Sequence, residues 1–281
     1  MDKARIGDYQ VHRTIGRGRY GVVYSASHVA SGRLVALKVL ADQFTQDTVY
    51  RARFRRECDL LAKLSHPHVI PILEAGEDGD ALFLAMRLIQ GTTLKELIVG
   101  GEPPEVVRAM RILSAVGSAL DAAHAAGIIH RDVKPRNIML SRRDHPYLGD
   151  FGLARGPGGG ALTAPGEVLG TIDYMPPENL EGDPATKAGD LYALSCLAFE
   201  LLTGDVPFQG NNDAAILFGH VTVPPPSLSA RRAELPAELD AVVAAGMAKD
   251  PADRPGTARE LLAGMWEALG EPAPADLVAA G

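Results

Sequence analysis

The strand-like segments of this chain are gathered in its first ninety residues, and most of the remainder reads as helix or connecting loop. Tyr9-Gln10-Val11-His12 leads into a glycine-rich stretch, and Val22 to Ala26 leads out of it. Leu34 to Leu40 comes after a Ser31-Gly32 turn. These three runs alternate or cluster β-branched and aromatic residues between turn formers, as strands do. A helical pattern runs from about Thr48 to Leu64, and two further short apolar strands are expected near 69–75 and 81–88. Strands first and helices afterwards cannot build an alternating parallel sheet. They predict an α+β chain of two subdomains, a small antiparallel β-rich one with a single helix and a larger, mainly helical one.

The helical patterns carry further information. Phe54, Glu57, Leu61 and Leu64 share one helix face at spacings of three and four, so Glu57 is a carboxylate inside an apolar stripe. Such a group needs a counter-charge. Strand alternation puts Ala36 and Lys38 on one face and Val35, Leu37 and Val39 on the other, which makes Lys38 the natural partner. Leu191 to Leu202 is apolar nearly all round, the mark of a buried core helix headed by Asp190. Cys58 and Cys196 stand far apart in apolar patterns and read as buried thiols rather than a bridge or a zinc site.

Composition excludes several functions. A net charge of −7 argues against a general nucleic-acid binder. No run of about 20 apolar residues is present to span a membrane, and the amino terminus lacks the apolar core of a secretory signal. The segment from Gly270 to Gly281, with Pro272 and Pro274 among small residues, is expected to be poorly ordered.

Chemistry concentrates at four places. Gly16-Arg17-Gly18-Arg19-Tyr20-Gly21 has the glycine spacing of a phosphate cradle, but the same spacing serves dinucleotide sites. A dinucleotide site would open a helix after Gly21. Here Val22, Val23 and Tyr24 favour a strand, so the glycines read as a hairpin tip. Val35-Ala36-Leu37-Lys38 supplies a lysine. His130-Arg131-Asp132-Val133-Lys134-Pro135-Arg136-Asn137 supplies an acid, a second lysine and an amide, and Asp150-Phe151-Gly152 a further carboxylate. Oxygen ligands such as Asn137 and Asp150 suit a hard cation, and Pro135 keeps its loop from becoming helix.

In this order and spacing the motifs resemble the protein kinase catalytic domain, most closely the eukaryotic-like serine/threonine kinases of bacteria, over about residues 8–268. The resemblance implies a two-lobed kinase fold, with an N-lobe at about 8–88 and a C-lobe at about 92–268. It implies ATP and magnesium, with manganese as an alternative, and protein substrates bearing serine or threonine acceptors. Lys38 paired with Glu57 would hold the α and β phosphates, Asp132 would orient the acceptor hydroxyl, Lys134 would reach the γ-phosphate, and Asn137 and Asp150 would hold the metal. Ile15, Gly16, Arg17, Gly18, Arg19, Tyr20, Gly21 and Val22 would cover the nucleotide. Val23, Ala36 and Met139 would enclose the adenine. Met86 would stand at the gate of the adenine pocket, with backbone groups of Arg87 and Ile89 on the adenine edge. Lys134 favours serine/threonine over tyrosine acceptors.

The resemblance extends to Gly170-Thr171-Ile172-Asp173-Tyr174 and Pro176-Pro177-Glu178, the peptide-docking end of the activation segment, with Pro176 where alanine is usual. It implies a Glu178–Arg254 ion pair, an Asp190 brace under the catalytic loop, and a Thr171 hydroxyl bonded to Asp132 and Lys134. Arg131 before Asp132 implies activation by phosphate in the loop, with Thr163 the acceptor and Arg131 and Arg155 its cations. His130 is assigned packing, and His66, His68 and His124 are read as structural, since no acid is spaced to partner them. A homodimer through the strand-rich lobe, and a cytoplasmic location (as a separate chain or as part of a longer membrane-anchored one), complete what the resemblance implies. A missing lysine, acid or metal aspartate would mark a pseudokinase. All are present.

Overall fold

The computed structural model describes residues 5–18, 21–41, 48–152 and 172–278. The chain divides into two units at Gly91/Thr92.

In the first unit a six-stranded antiparallel sheet is formed by β1 (Arg5–Ile6), β2 (Tyr9–Gly18), β3 (Gly21–His28), β4 (Leu34–Leu40), β5 (Ile72–Asp78) and β6 (Ala81–Arg87), in the order β1-β2-β3-β4-β6-β5. The strands predicted near 69–75 and 81–88 are thus β5 and β6, the first displaced by three residues. β1 is too short to show a pattern in the sequence. Tyr9, Ala26, Val35, Leu37, Phe83 and Ala85 form an apolar cluster. Strand alternation assigns these residues to one face of the sheet, so the neighbouring positions in each strand belong to the other.

The glycine stretch is a hairpin, as Val22 to Tyr24 foretell: Gly18 pairs with Gly21, Arg17 with Val22 and Gly16 with Val23. Gly21 has φ +150°, and a Cβ there would lie 2.0 Å from the Val39 carbonyl oxygen, so no other residue fits. Helix α1 (Thr48–Lys63) packs along β5 through Tyr50, Phe54, Cys58 and Leu61, all buried.

The second unit is helical around a central helix. Its helices are α2 (Leu94–Val99), α3 (Val106–Ala125), α4 (Pro177–Leu180), α5 (Lys187–Thr203), α6 (Asp213–Thr222), α7 (Ala237–Gly246), α8 (Ala258–Ala268) and α9 (Ala275–Val278). Every residue of α5 from Gly189 to Leu202 is buried, as its unbroken apolar pattern predicts. Thr186 caps its first turn and Gly204, at φ +87°, closes its last. Helix α3 packs on α5 and α8, and the Trp266 indole N–H donates to Ser114 Oγ at 2.9 Å across the α3–α8 contact. A small sheet, β7 (Gly91–Thr93), β8 (Ile138–Ser141) and β9 (Pro146–Leu148), completes the unit.

Within the segment from Gly270, Ala275–Val278 form α9, in which Leu277 is buried and which packs against α8, and residues 279–281 lie outside the described residues. Both cysteines are free thiols and buried. No helix among the described residues is long and apolar enough to cross a membrane.

Candidate active site

The first unit gathers one half of the predicted residues. Val23 pairs with Lys38, Ala36 with Met86, and Gly16 with Val23, and directly paired residues of antiparallel strands project from the same face. Gly16, Val23, Ala36, Lys38 and Met86 therefore share the face opposite the Tyr9–Phe83 cluster. Met86 and Ala36 are buried. Ile15 is exposed, as are Arg17 and Gly18, while Gly21 is buried and Val22 and Val23 are half-buried. Arg19 and Tyr20 lie outside the described residues. Arg87 donates its N–H to Pro71 at 2.9 Å, and Ile89 lies in the irregular segment before β7.

Glu57 stands one position before Cys58 on the buried side of α1. Burial pushes the Cys58 thiol up to about 12. The Glu57 and Asp59 carboxylates push in the same direction, and the Lys38 ammonium opposes them. Lys38 is thus close enough to α1 to be felt there. Two arginines, Arg51 and Arg55, hold the helix to β5 through Glu77, at 2.6 and 2.7 Å.

The second unit carries the other half, with Asp132, Lys134 and Asn137 on one loop, Met139 on the hairpin that follows it and Asp150 just past that hairpin. Residues 130–134 are irregular, and Pro135 opens a single tight turn that ends at Asn137. Asp190, buried at the head of α5, accepts the His130 N–H on Oδ2 and the Arg131 N–H on Oδ1, both at 2.8 Å. This brace holds Arg131 at φ +67°, a conformation that non-glycine residues avoid. The Asp132 carboxylate is then enclosed from within its own loop. Lys134 Nζ lies 2.8 Å from Oδ2, and Asn137 Nδ2 donates to the same oxygen at 2.9 Å and to the Asp132 carbonyl at 2.7 Å.

Asn137 passes directly into β8, and β9 returns beside it, so that Gly149 N–H donates to Asn137 O at 2.9 Å. Asn137 and the exposed Asp150 consequently flank the open end of this hairpin, with Met139 on β8 between core and surface. Arg108, at the start of α3, grips Asp144 at the hairpin's far end with two hydrogen bonds of 2.8 Å.

Asp150 has φ +54°, the second strained residue of the site. Phe151 is buried with its ring centroid 4.5 Å from that of His130. Gly152 donates to the His130 carbonyl at 2.8 Å, and a Cβ on it would meet that oxygen at 2.9 Å, so glycine is required by close approach. His130 itself is fully enclosed. Burial pushes its pKa down, against the pull of the nearby carboxylates, so it stays neutral. Its Nδ1 accepts the Asp132 N–H at 3.2 Å and its Nε2 donates to Gly149 O at 3.0 Å, which leaves it no proton to exchange with a substrate.

Glu178 and Arg254 form the expected pair, two parallel bonds of 2.7 Å with both side chains buried. Arg254 also donates to the carbonyls of Ala188, Ala248 and Lys249. Gly170, Thr171, Arg155 and Thr163 lie outside the described residues.

Comparison with known proteins decides what this arrangement belongs to. The family model for the protein kinase domain matches residues 9–266. The chain belongs to the protein kinase family. Among relatives of this kinase domain, it is 42% identical over 266 residues to serine/threonine-protein kinase PknH of Mycobacterium bovis, covering 95% of this chain and 45% of that one. It is 41% identical over 267 residues to serine/threonine-protein kinase PknD of Mycobacterium tuberculosis, covering 95% and 40%. The kinase domain thus spans less than half the length of these curated relatives. The crystal structure of the Mycobacterium tuberculosis PknI kinase domain superposes with a TM-score of 0.77 at 32% identity, covering 95% of this chain and 98% of that one.

Two features of the kinase domain are not legible in its sequence. His124 has no acid spaced along the chain to partner it, yet its Nε2 lies 2.8 Å from Asp190 Oδ2. A separation of 66 positions hides a contact made only when α3 and α5 pack. Glu200, a carboxylate inside the apolar α5, takes Lys95 Nζ at 2.9 Å and the Tyr174 hydroxyl, which joins α2, α5 and the short turn at Ile172–Tyr174. Glu200 is the one charged residue within Leu191–Leu202, which signals that it needs a partner but not which one.

Proposed function

We propose that this domain transfers the γ-phosphoryl group of ATP to serine or threonine hydroxyls of proteins. The observation that carries the reading is the Asp132 carboxylate held by Lys134 and Asn137 on a loop that Asp190 braces. An acid fixed in this way can accept a hydrogen bond from an alcohol and aim its oxygen. Lys134, already beside that acid, supplies positive charge where a transferring phosphoryl group would develop negative charge. Asn137 and Asp150 offer oxygen ligands at one end of a hairpin. Among the described residues no cluster of three or more histidines, cysteines or carboxylates exists to hold a metal without help. That donor set fits magnesium, which takes one or two protein oxygens and completes its shell with phosphates and water; manganese would be accepted by the same ligands. When bound, the metal neutralises charge on the phosphates.

On the first unit, Lys38 with Glu57 would hold the α and β phosphates, and residues 15–23 would cover them. Ala36, Val23 and Met139 would contact the adenine. A hinge contact from Arg87 would use its carbonyl, because its N–H is already donated to Pro71. We assign activation to phosphorylation of Thr163 by a second copy or by itself, with Arg131 and Arg155 as receiving cations. Serine/threonine acceptors, rather than tyrosine, are supported by Lys134 and by the names of the relatives.

Labelled ATP and Mg²⁺ with the purified domain, beside Asp132→Asn and with phosphosites mapped by mass spectrometry, test these assignments together. Phosphate on serine or threonine in the native chain only is the expected result. An Asp132→Asn domain as active as the native one would remove Asp132 from the mechanism, and no phosphate between residues 153 and 171 would remove Thr163.

A further inference from the structure

Helix α1 presents Glu57 through its rotation about its own axis, and one contact is placed to set that rotation. Tyr50, Phe54, Cys58 and Leu61 make the buried stripe. At about 100° per residue, Arg51 and Arg55 lie about 65° and about 105° to one side of this stripe and Glu57 about 55° to the other. The two arginines are one turn apart, and both reach the same acceptor on β5. Arg51 Nη2 lies 2.6 Å from Glu77 Oε2, and Arg55 Nε donates to Glu77 Oε1 at 2.7 Å with its Nη2 at 2.5 Å. Both carboxylate oxygens are therefore committed, one to each arginine. Burial nudges the Glu77 carboxyl up, but the two guanidiniums hold it below its usual range, so it stays ionised at working pH.

Apolar burial is non-directional, so the stripe alone tolerates small rotations. A forked pair of charged hydrogen bonds on one flank has direction and does not. We propose that Glu77 is a positioning residue for the nucleotide site: by clamping Arg51 and Arg55 it fixes the rotation of α1 and so keeps Glu57 turned toward Lys38. The inference rests on the assignment of Lys38 and Glu57 to ATP. A role confined to stability is a weaker account, because ion pairs this accessible add little to folding.

A double-mutant cycle tests it, using the whole domain, Glu77→Gln, Glu57→Gln and both together, with kcat, KM for ATP and melting temperature read for each. Arg55→Gln, which cuts half the clamp from an exposed side chain, stands in if Glu77→Gln does not fold. The expected result is a roughly fivefold loss in kcat/KM for ATP in Glu77→Gln with nearly unchanged melting. That loss should vanish in the Glu57→Gln background, where there is no correctly turned carboxylate left to lose. The exchange Glu77→Arg with Arg51→Glu and Arg55→Glu should restore part of it. Equal losses in both backgrounds, or a fall in melting that accounts for the activity, would make Glu77 merely structural. Native kinetics in both Glu77→Gln and Arg55→Gln would overturn the clamp alone. Native kinetics in Glu57→Gln would instead overturn the Lys38–Glu57 reading beneath it.

Discussion

Asp190→Asn tests the brace beneath the loop at 130–137, to which we assign the catalytic role. The native carboxylate accepts two backbone N–H groups, from His130 and Arg131, and meets His124 Nε2, all at 2.8 Å. Each bond to a charged, buried acceptor contributes about 1.5–3 kcal/mol. Asparagine keeps one acceptor oxygen, so its amide N–H₂ must face one of the two backbone donors. One bond is lost and one donor is left buried and opposed, a cost of about 3 kcal/mol.

The loop can escape that cost by letting Arg131 relax from φ +67°, a conformation worth about 1–2 kcal/mol of strain. Relaxation there moves the next residue, Asp132. If about 2.7 kcal/mol of the loss appears in the transition state, kcat falls about a hundredfold, since 1.36 kcal/mol is a factor of ten. Phosphorylation of a peptide substrate, followed with saturating ATP, measures kcat. The fluorescence of Trp266, the only tryptophan, reports whether the helical unit is still folded. A folded Asp190→Asn domain with native kcat would refute the argument that this carboxylate sets the geometry of Asp132.

Three further contacts can be tested separately. Arg254→Ala strands the buried Glu178 carboxylate and three carbonyls, so stability should drop by about 3–5 kcal/mol. Melting of the domain should fall by roughly 10 °C; a change under 2 °C (about 1 kcal/mol) would show the pair to be dispensable. Gly152→Ala forces a Cβ to 2.9 Å from the His130 oxygen, and should cost activity well beyond what it costs in melting; native activity would mean the loop yields freely there. His220, fully buried beside the Tyr192 hydroxyl at 2.8 Å, has its pKa pushed down to about 4 by burial and then by Lys249. The unfolded chain binds this proton near pH 6.5 and the folded one does not. Stability from this group is therefore complete above pH 6.5, and is lost as pH falls toward 4, by about 2 kcal/mol between pH 7 and pH 5. Urea unfolding at the two pH values measures it, and an identical slope in His220→Phe would show that another group is responsible.

Much of the site could be read in one dimension because its parts are local. Asp132, Lys134 and Asn137 lie within six consecutive residues, and a proline-started turn is enough to fold them onto each other. Asn137 and Asp150 are joined by one hairpin, whose pairing is a matter of strand pattern and length. The strand following Gly21 marked the glycine stretch as a hairpin rather than the start of a helix, since valine and tyrosine after glycine do not start one, and a hairpin is what forms. The reading was poorer where a segment is short or its partner distant. β1 has two residues and no periodicity, and α9 docks by one leucine.

The order of strand and helix patterns, the glycine hairpin, the buried helix from Gly189 to Leu202 and the family itself were determined by the sequence alone. Each depends on spacings of two to four residues or on a motif unbroken along the chain. Only the tertiary structure decided which groups brace that chemistry. His124 and Asp190 are 66 residues apart, Lys95 and Glu200 are 105 apart, and Arg51 and Arg55 meet Glu77 across a helix and a strand. A charge advertises in sequence that it needs a partner when it sits in an apolar face. Which partner it takes depends on how helices pack, and packing is a property of the whole chain.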